Sequence, residues 1–234
     1  MAQGGSLANR ITDLIGSQYS TDAAYAGDLI NAAINEIADM LPIELLMKYS
    51  RTPGVLESNS EWLVEGRKIL KVTRIDADSS GIERECNEVN RAGFSVAGDS
   101  NSIHKATEYS PIYHHDTVND GAATLKILPE PTTPQKGKIW YFTYVTSTVP
   151  DSDITDLTEA TLNTTVYLPN NLIHAIVLKA CTNILKAYIS NQVQDEEDIE
   201  LMQMIQAQLQ GLQQDYTTEI QRFVTEGQDT GGGE

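Results

Sequence analysis

Lys68-Ile69-Leu70-Lys71-Val72-Thr73-Arg74-Ile75 displays the period to which this chain changes from about Thr52, and that change decides the fold. Ile69, Lys71 and Thr73 fall on one side of an extended chain and Leu70, Val72 and Arg74 on the other, the two-residue repeat of a β-strand. Toward the C-terminus, further strands are expected over Ile82 to Val89, Ile112 to Val118, Ala122 to Leu128 and Lys138 to Thr146. Turn-rich pieces separate them, among them Asp76-Ala77-Asp78-Ser79-Ser80-Gly81, Asn119-Asp120-Gly121 and Pro129-Glu130-Pro131-Thr132-Thr133-Pro134. Ile139-Trp140-Tyr141-Phe142-Thr143-Tyr144-Val145 carries bulk on both faces, which places it at the centre of a small antiparallel sheet, with Trp140 a large buried aromatic.

Toward the N-terminus the repeat lengthens to three and four residues. Leu7, Ile11, Leu14 and Ile15 draw a short amphipathic helix, and Ser20 or Thr21 can cap a second. In the second, Ala26, Leu29, Ile30, Ala33, Ile34, Ile37 and Leu41 share a face up to Pro42, where a kink is expected before Ile43 to Met47. Beyond a polar connection, Thr148 to Thr165, Pro169 opens a helix whose apolar residues, Leu172 to Tyr188, cover more than half its circumference. Asp195-Glu196-Glu197-Asp198 then loads the first turn of a last helix with carboxylates, where the helix dipole favours them. Along that helix Ile199, Met202, Ile205, Leu209, Leu212, Tyr216, Ile220 and Phe223 form one long apolar stripe, whose outer end is expected to remain for another subunit or protein.

The expected fold is therefore α+β: a helical bundle from the N- and C-terminal helices, an inserted small antiparallel β domain, and a long C-terminal amphipathic helix. Residues 1–50 supply the first bundle helices, 51–168 the β-rich insertion, 169–226 the last helices and arm, and 227–234 a flexible tail.

Sixteen Lys and Arg against 33 Asp and Glu give a net charge of −17, which argues against a duplex-binding surface that neutralises phosphates. An acidic surface suits solubility, and also DNA that must slide without sticking. The basic residues Arg67, Lys68, Lys71, Arg74, Arg84, Arg91 and Lys105 gather in the first half of the β region. Residues 190–234 hold ten acids and one base, Arg222, a polarity read either as solvated faces or as faces on which neighbouring copies meet. Cys86 and Cys181 have no paired spacing and are expected as free, buried thiols. Neither a signal peptide nor a membrane span is legible, so assembly in the cytosol is expected.

No convincing active site emerges, and no cofactor, catalytic residue or metal ligand is expected. Asp76 to Gly81 begins like an EF-hand loop, but its twelfth place is Asn87, so a tight hairpin turn around Ser80-Gly81 is the better reading. His114 and His115 point to opposite faces of a strand and cannot converge on one ion, while His104 and His174 offer no third ligand. A small calcium- or metal-binding protein or enzyme built on Asp76, Asp78, Ser80 and the two histidines is the alternative from another functional class.

Several pieces in order resemble the head-to-tail adaptor (connector) proteins of tailed bacteriophages, including the tail tubular protein A type. They are the helix Asp28 to Leu41-Pro42, Glu108-Tyr109-Ser110-Pro111-Ile112-Tyr113, Leu125-Lys126-Ile127-Leu128-Pro129-Glu130-Pro131, the aromatic strand Ile139 to Tyr144, and Tyr167-Leu168-Pro169 opening into Val177. The resemblance covers residues from about 25 to 190. It implies a structural virion protein in the neck between capsid and tail, a ring usually of twelve copies. Such a ring joins the portal protein above and a tail or nozzle protein below, with genomic DNA passing down its bore. In related adaptors the C-terminal segment grips the portal, a role that would fall here on Tyr216, Ile220, Phe223 and Val224. Another neck or tail-completion component is the alternative within the same class.

Overall fold

The structure, a computed structural model, describes residues 7–19, 23–49, 53–59, 64, 66–76, 81–117, 123–145, 172–192 and 199–229. It is α+β, with helices and largely antiparallel sheet. The chain divides into two compact units, a helical one of residues 1–49 and 145–234 and a β-rich one of residues 50–144. The division thus falls at 144/145, where the sequence pattern carried the insertion on to 168. The expected connection Thr148–Thr165, the Pro169 start, the Asp195–Asp198 turn, the Ser20/Thr21 cap and the Asn119–Gly121 turn lie outside the described residues.

In the helical unit, α1 (Leu7–Ile15) leads through a 3-10 turn (Ser17–Tyr19) toward α2 (Ala23–Met40). Pro42 does not kink one continuous helix but opens a new one, α3 (Ile43–Tyr49). Its carbonyl accepts from both Leu45 N (3.1 Å) and Leu46 N (3.2 Å), and its own missing N–H is harmless at a helix start. The central element is α5 (Ile173–Gln192), which packs against α1, α2 and the long α6 (Ile199–Asp229). Its broad apolar girth makes this possible, with Leu172, Ile173, Ile176, Val177, Ala180, Cys181, Ile184 and Leu185 all buried. Where the chain re-enters this unit, Asn35 of α2 holds Val145 by both backbone groups, Nδ2 donating to its carbonyl (3.0 Å) and Oδ1 accepting from its N–H (2.9 Å).

Helix α6 overturns one expectation. Ile205, Leu212, Tyr216, Ile220 and Phe223 are all buried within the chain, Ile220 at 8% and Phe223 at 7% exposure. The outer end of the stripe is therefore not a bare arm. An apolar face wide enough to serve α1 and α2 still leaves α5 a side for α6, so the bundle covers the stripe itself. The helix also runs on through Asp229, past the start of the expected tail.

The β unit holds two sheets. One has the order β1 (Gly54–Leu56), β7 (Gly137–Thr143), β2 (Arg67–Ile75), β3 (Glu83–Glu85), all antiparallel, with aromatic β7 in the interior as its bulk requires. The other has the order β4 (Asn87–Glu88), β5 (Ile112–Thr117), β6 (Ala123–Leu128), and its β4–β5 pairing is parallel, a departure from the purely antiparallel expectation. The single strand expected over Ile82–Val89 is split, because the chain changes sheets at Cys86, whose N–H donates to Val72 O (2.9 Å) while the thiol enters the shared core. Leu56, Val64, Val72, Leu125, Ile127 and Ile139 complete that core. The register shift between Ile69 and Lys71 is an extra residue, Leu70, on β2; on β7 Ile139 and Tyr141 face the shared core, while of the two alternate residues Phe142 is buried and Trp140 only half-buried. The outer face of β5–β6 is covered by α4 (Arg91–Gly98) through Ala97, Ala106, Ile112, Phe94 and Leu128. Strand β6 does not offer an open edge, since Asn59 takes both backbone groups of Ile127, accepting at 2.8 Å and donating at 3.0 Å.

Candidate interaction site

Tyr216, Ile220, Phe223 and Val224 follow one another along α6, and the first three face inward. Tyr216 donates its hydroxyl to Met40 Sδ (3.3 Å) on α2, and Lys179 of α5 lies 5.6 Å over its ring while pairing with Glu36 of α2 (2.5 Å). Three helices thus meet at one phenol, whose pKa burial, seconded by Glu36, raises above the ordinary value. Only Val224 keeps a partly open surface. Tyr216, Ile220 and Phe223 are thus taken up in the packing of the bundle.

Two exposed apolar spots are better placed for contact. In the helical unit, Gln208 Nε2 donates to Leu14 O (3.0 Å), tying the end of α1 to α6, and both Leu14 and Met204, one turn earlier on α6, are exposed. Exposed Asp13 and Glu200 flank them.

In the β unit, α4 and the loop after it form a projecting rim. Asn90 caps the helix, its Oδ1 accepting from Gly93 N (2.8 Å), with Phe94 and Ala97 turned inward and Val96 outward. The loop is held by its own polar groups. Asp99 Oδ1 accepts from Asn101 N (2.9 Å), Ser102 Oγ from His104 N (3.1 Å), and Ala97 O from Ala106 N (3.0 Å). Ile103, at the tip of these turns, is 93% exposed. The apolar spacing does not announce this helix, because Gly93 and Gly98 interrupt the pattern. The capping Asn90 three residues before Gly93, with Phe94 and Ala97 spaced as i and i+3, was the available signal.

Within the basic cluster of the β region Lys71 and Arg84 are ion-paired, and so are three later lysines of the same unit. Lys71, Arg84, Lys126, Lys136 and Lys138 pair with Glu85, Asp76, Asp116, Glu57 and Glu83 respectively. Arg67 lies over Tyr141, and Arg84 over Tyr109 at 4.8 Å. Arg74 is 2% exposed and donates to Pro129 O and Gln135 Oε1, both at 2.8 Å, and burial lowers its pKa. Exposed Arg91 and Lys105, which bracket the α4 rim, form no ion pair among the described residues.

As for metal ligands, Asp76 is committed to Arg84 Nε (2.9 Å), and its N–H donates to Ile82 O (2.8 Å) to close the β2–β3 hairpin. Residues 77–80 of that turn lie outside the described residues. His114 bonds Val89 O (3.0 Å) and meets Phe94, whereas His115 turns to Tyr113 on the opposite face. Among the described residues no three His, Cys, Asp or Glu are grouped to hold a metal, and no helix is long and apolar enough to cross a membrane. Burial pushes both thiols, Cys86 and Cys181, up to about 12, which leaves them poor nucleophiles.

No protein-family model, curated protein or solved structure matches this chain.

Proposed function

We propose that this chain is a structural virion protein, a head-to-tail adaptor of the tailed-bacteriophage neck. In this reading it forms a ring, twelve copies in its usual form, joined to the portal and lining the channel through which the genome passes. The observation that carries the reading is the order of pieces that resembles the adaptor group: a helix ending at Leu41-Pro42, paired strands ending at Leu128-Pro129, the aromatic strand, and the helix after Leu168-Pro169. The arrangement of a helical bundle interrupted by a β-rich insertion and completed by a long amphipathic helix fits a ring subunit. Each copy then has one acidic helical unit and one nearly neutral β unit to present to its neighbours. With Tyr216, Ile220 and Phe223 buried, the portal contact is left to other surfaces, and the acidic excess repels phosphates so that DNA slides without sticking.

Purified protein, alone and mixed with its cognate portal rings, tests this by sedimentation and negative-stain imaging. Rings, or portal rings that gain a collar of this chain, are expected. A species that stays monomeric and leaves portal rings bare would overturn the proposal.

A further inference from the structure

We infer that the α4 rim docks onto the helical unit of a second copy of this chain, Ile103 seating against exposed Leu14 and Met204. The inference rests on the ring reading and names the surfaces that would join one subunit to the next. Exposed Ile103 on a loop pre-set by its own turns is the geometry of an anchor, since little entropy is left to lose on docking. Val96, turned outward on α4, is exposed as well.

Charge selects the partner. The helical unit carries 5 Lys and Arg against 20 Asp and Glu, the β unit 11 against 13. Arg91 and Lys105 are exposed cations with no ion pair among the described residues, and they stand at either end of the rim. Of the nearby acids, Asp116 is paired with Lys126 and also felt by Arg91, Asp99 is turned to Asn101 N, and Glu108 is half-buried and felt by Arg74. Across the proposed contact, exposed Asp13 and Glu200 stand by Leu14 and Met204, with half-buried Arg10 one turn before Leu14, so an apolar knob with basic shoulders meets an apolar spot whose exposed charges are acidic. The two surfaces differ, so the contact is heterologous, the kind that propagates head to tail and gives a ring where its rotation closes.

The test is a double variant, Ile103→Cys with Met204→Cys, oxidised mildly at concentrations where the wild type assembles. The native thiols are buried and stay silent. A ladder of disulfide-linked multimers that reductant collapses is expected, and each single variant should give no ladder. In parallel, Lys105→Glu should weaken association about tenfold, and adding Glu200→Lys should restore it. Wild-type rings together with monomer bands only, and unchanged association of Lys105→Glu, would overturn this contact and leave the ring reading standing. A monomer band that has lost both new thiols would mean that one chain supplies both halves, which also overturns it. A wild type monomeric at every concentration and on portal rings would overturn both.

Discussion

Gly137 shows how tightly the interlayer core of the β unit is filled. A Cβ added there would stand 2.7 Å from Ile127 Cδ1 and 3.2 Å from Leu56 Cβ. The first atom ends a flexible side chain, but the second is fixed to strand β1, so the pair cannot yield freely. Gly137→Ala should cost about 1–3 kcal/mol, read as a lower urea midpoint with little change in slope. Tyr19 shows the opposite condition, since its ring is buried edge-on to Tyr188 at 4.9 Å while its hydroxyl has no hydrogen-bond partner among the described residues. Tyr19→Phe removes a buried oxygen that gains nothing from the described residues, so stability should stay level or rise by up to about 1 kcal/mol, read from thermal melting. Arg74 marks the limit of what single residues reveal. On an alternating strand it reads as one more surface cation, because the carbonyl and amide that hold it lie 55 and 61 residues away in the chain.

Among the elements, those with an unbroken period were legible: α2, β2, β5, β6 and β7 lie where apolar spacing puts them. The missed or misread ones have tertiary causes. Helix α4 is short and broken by glycine, and β3 and β4 are one extended run that two sheets share at Cys86. The α6 stripe was visible at full length, but its spacing cannot say whether the cover comes from the same chain. That distinction is measurable. Ile220→Asp with Phe223→Asp would be silent for the fold if the end of α6 were a free arm. With both side chains buried, the pair should instead cost more than about 3 kcal/mol and lower helical signal and melting temperature in the isolated protein. Gly211, exposed in the middle of the same helix with nothing within 4 Å of an added Cβ, gives the control. Gly211→Ala should stabilise by about 0.5–1 kcal/mol, because alanine loses less backbone freedom on entering a helix.

At the scale of the whole molecule, the two units are built on different chain logic. The helical unit is discontinuous and needs residues 1–49 and 145–234 to meet, whereas the β unit is one continuous stretch whose core residues all fall between Leu56 and Ile139. A continuous segment with its own two-sheet core can fold without the rest, so excised 50–144 should unfold cooperatively and keep Cys86 shielded from thiol reagents. Cys86 also reports pH. Its native pKa is held up to about 12 by burial against an ordinary value of 9.0, so above pH 9 the unfolded segment loses a proton that the folded one retains. The thiol's contribution is complete below pH 9 and is lost as pH climbs toward 12, at about 1.4 kcal/mol per pH unit. Cys181 imposes the same alkaline slope on the helical unit of the full chain, through its own burial. Cys86→Ala in the excised segment should flatten that part of its stability curve, at the cost of a smaller core side chain. If Cys86 of 50–144 instead labels at the rate of a free thiol at neutral pH, the β unit draws its stability from the helices, and the two units are one cooperative body.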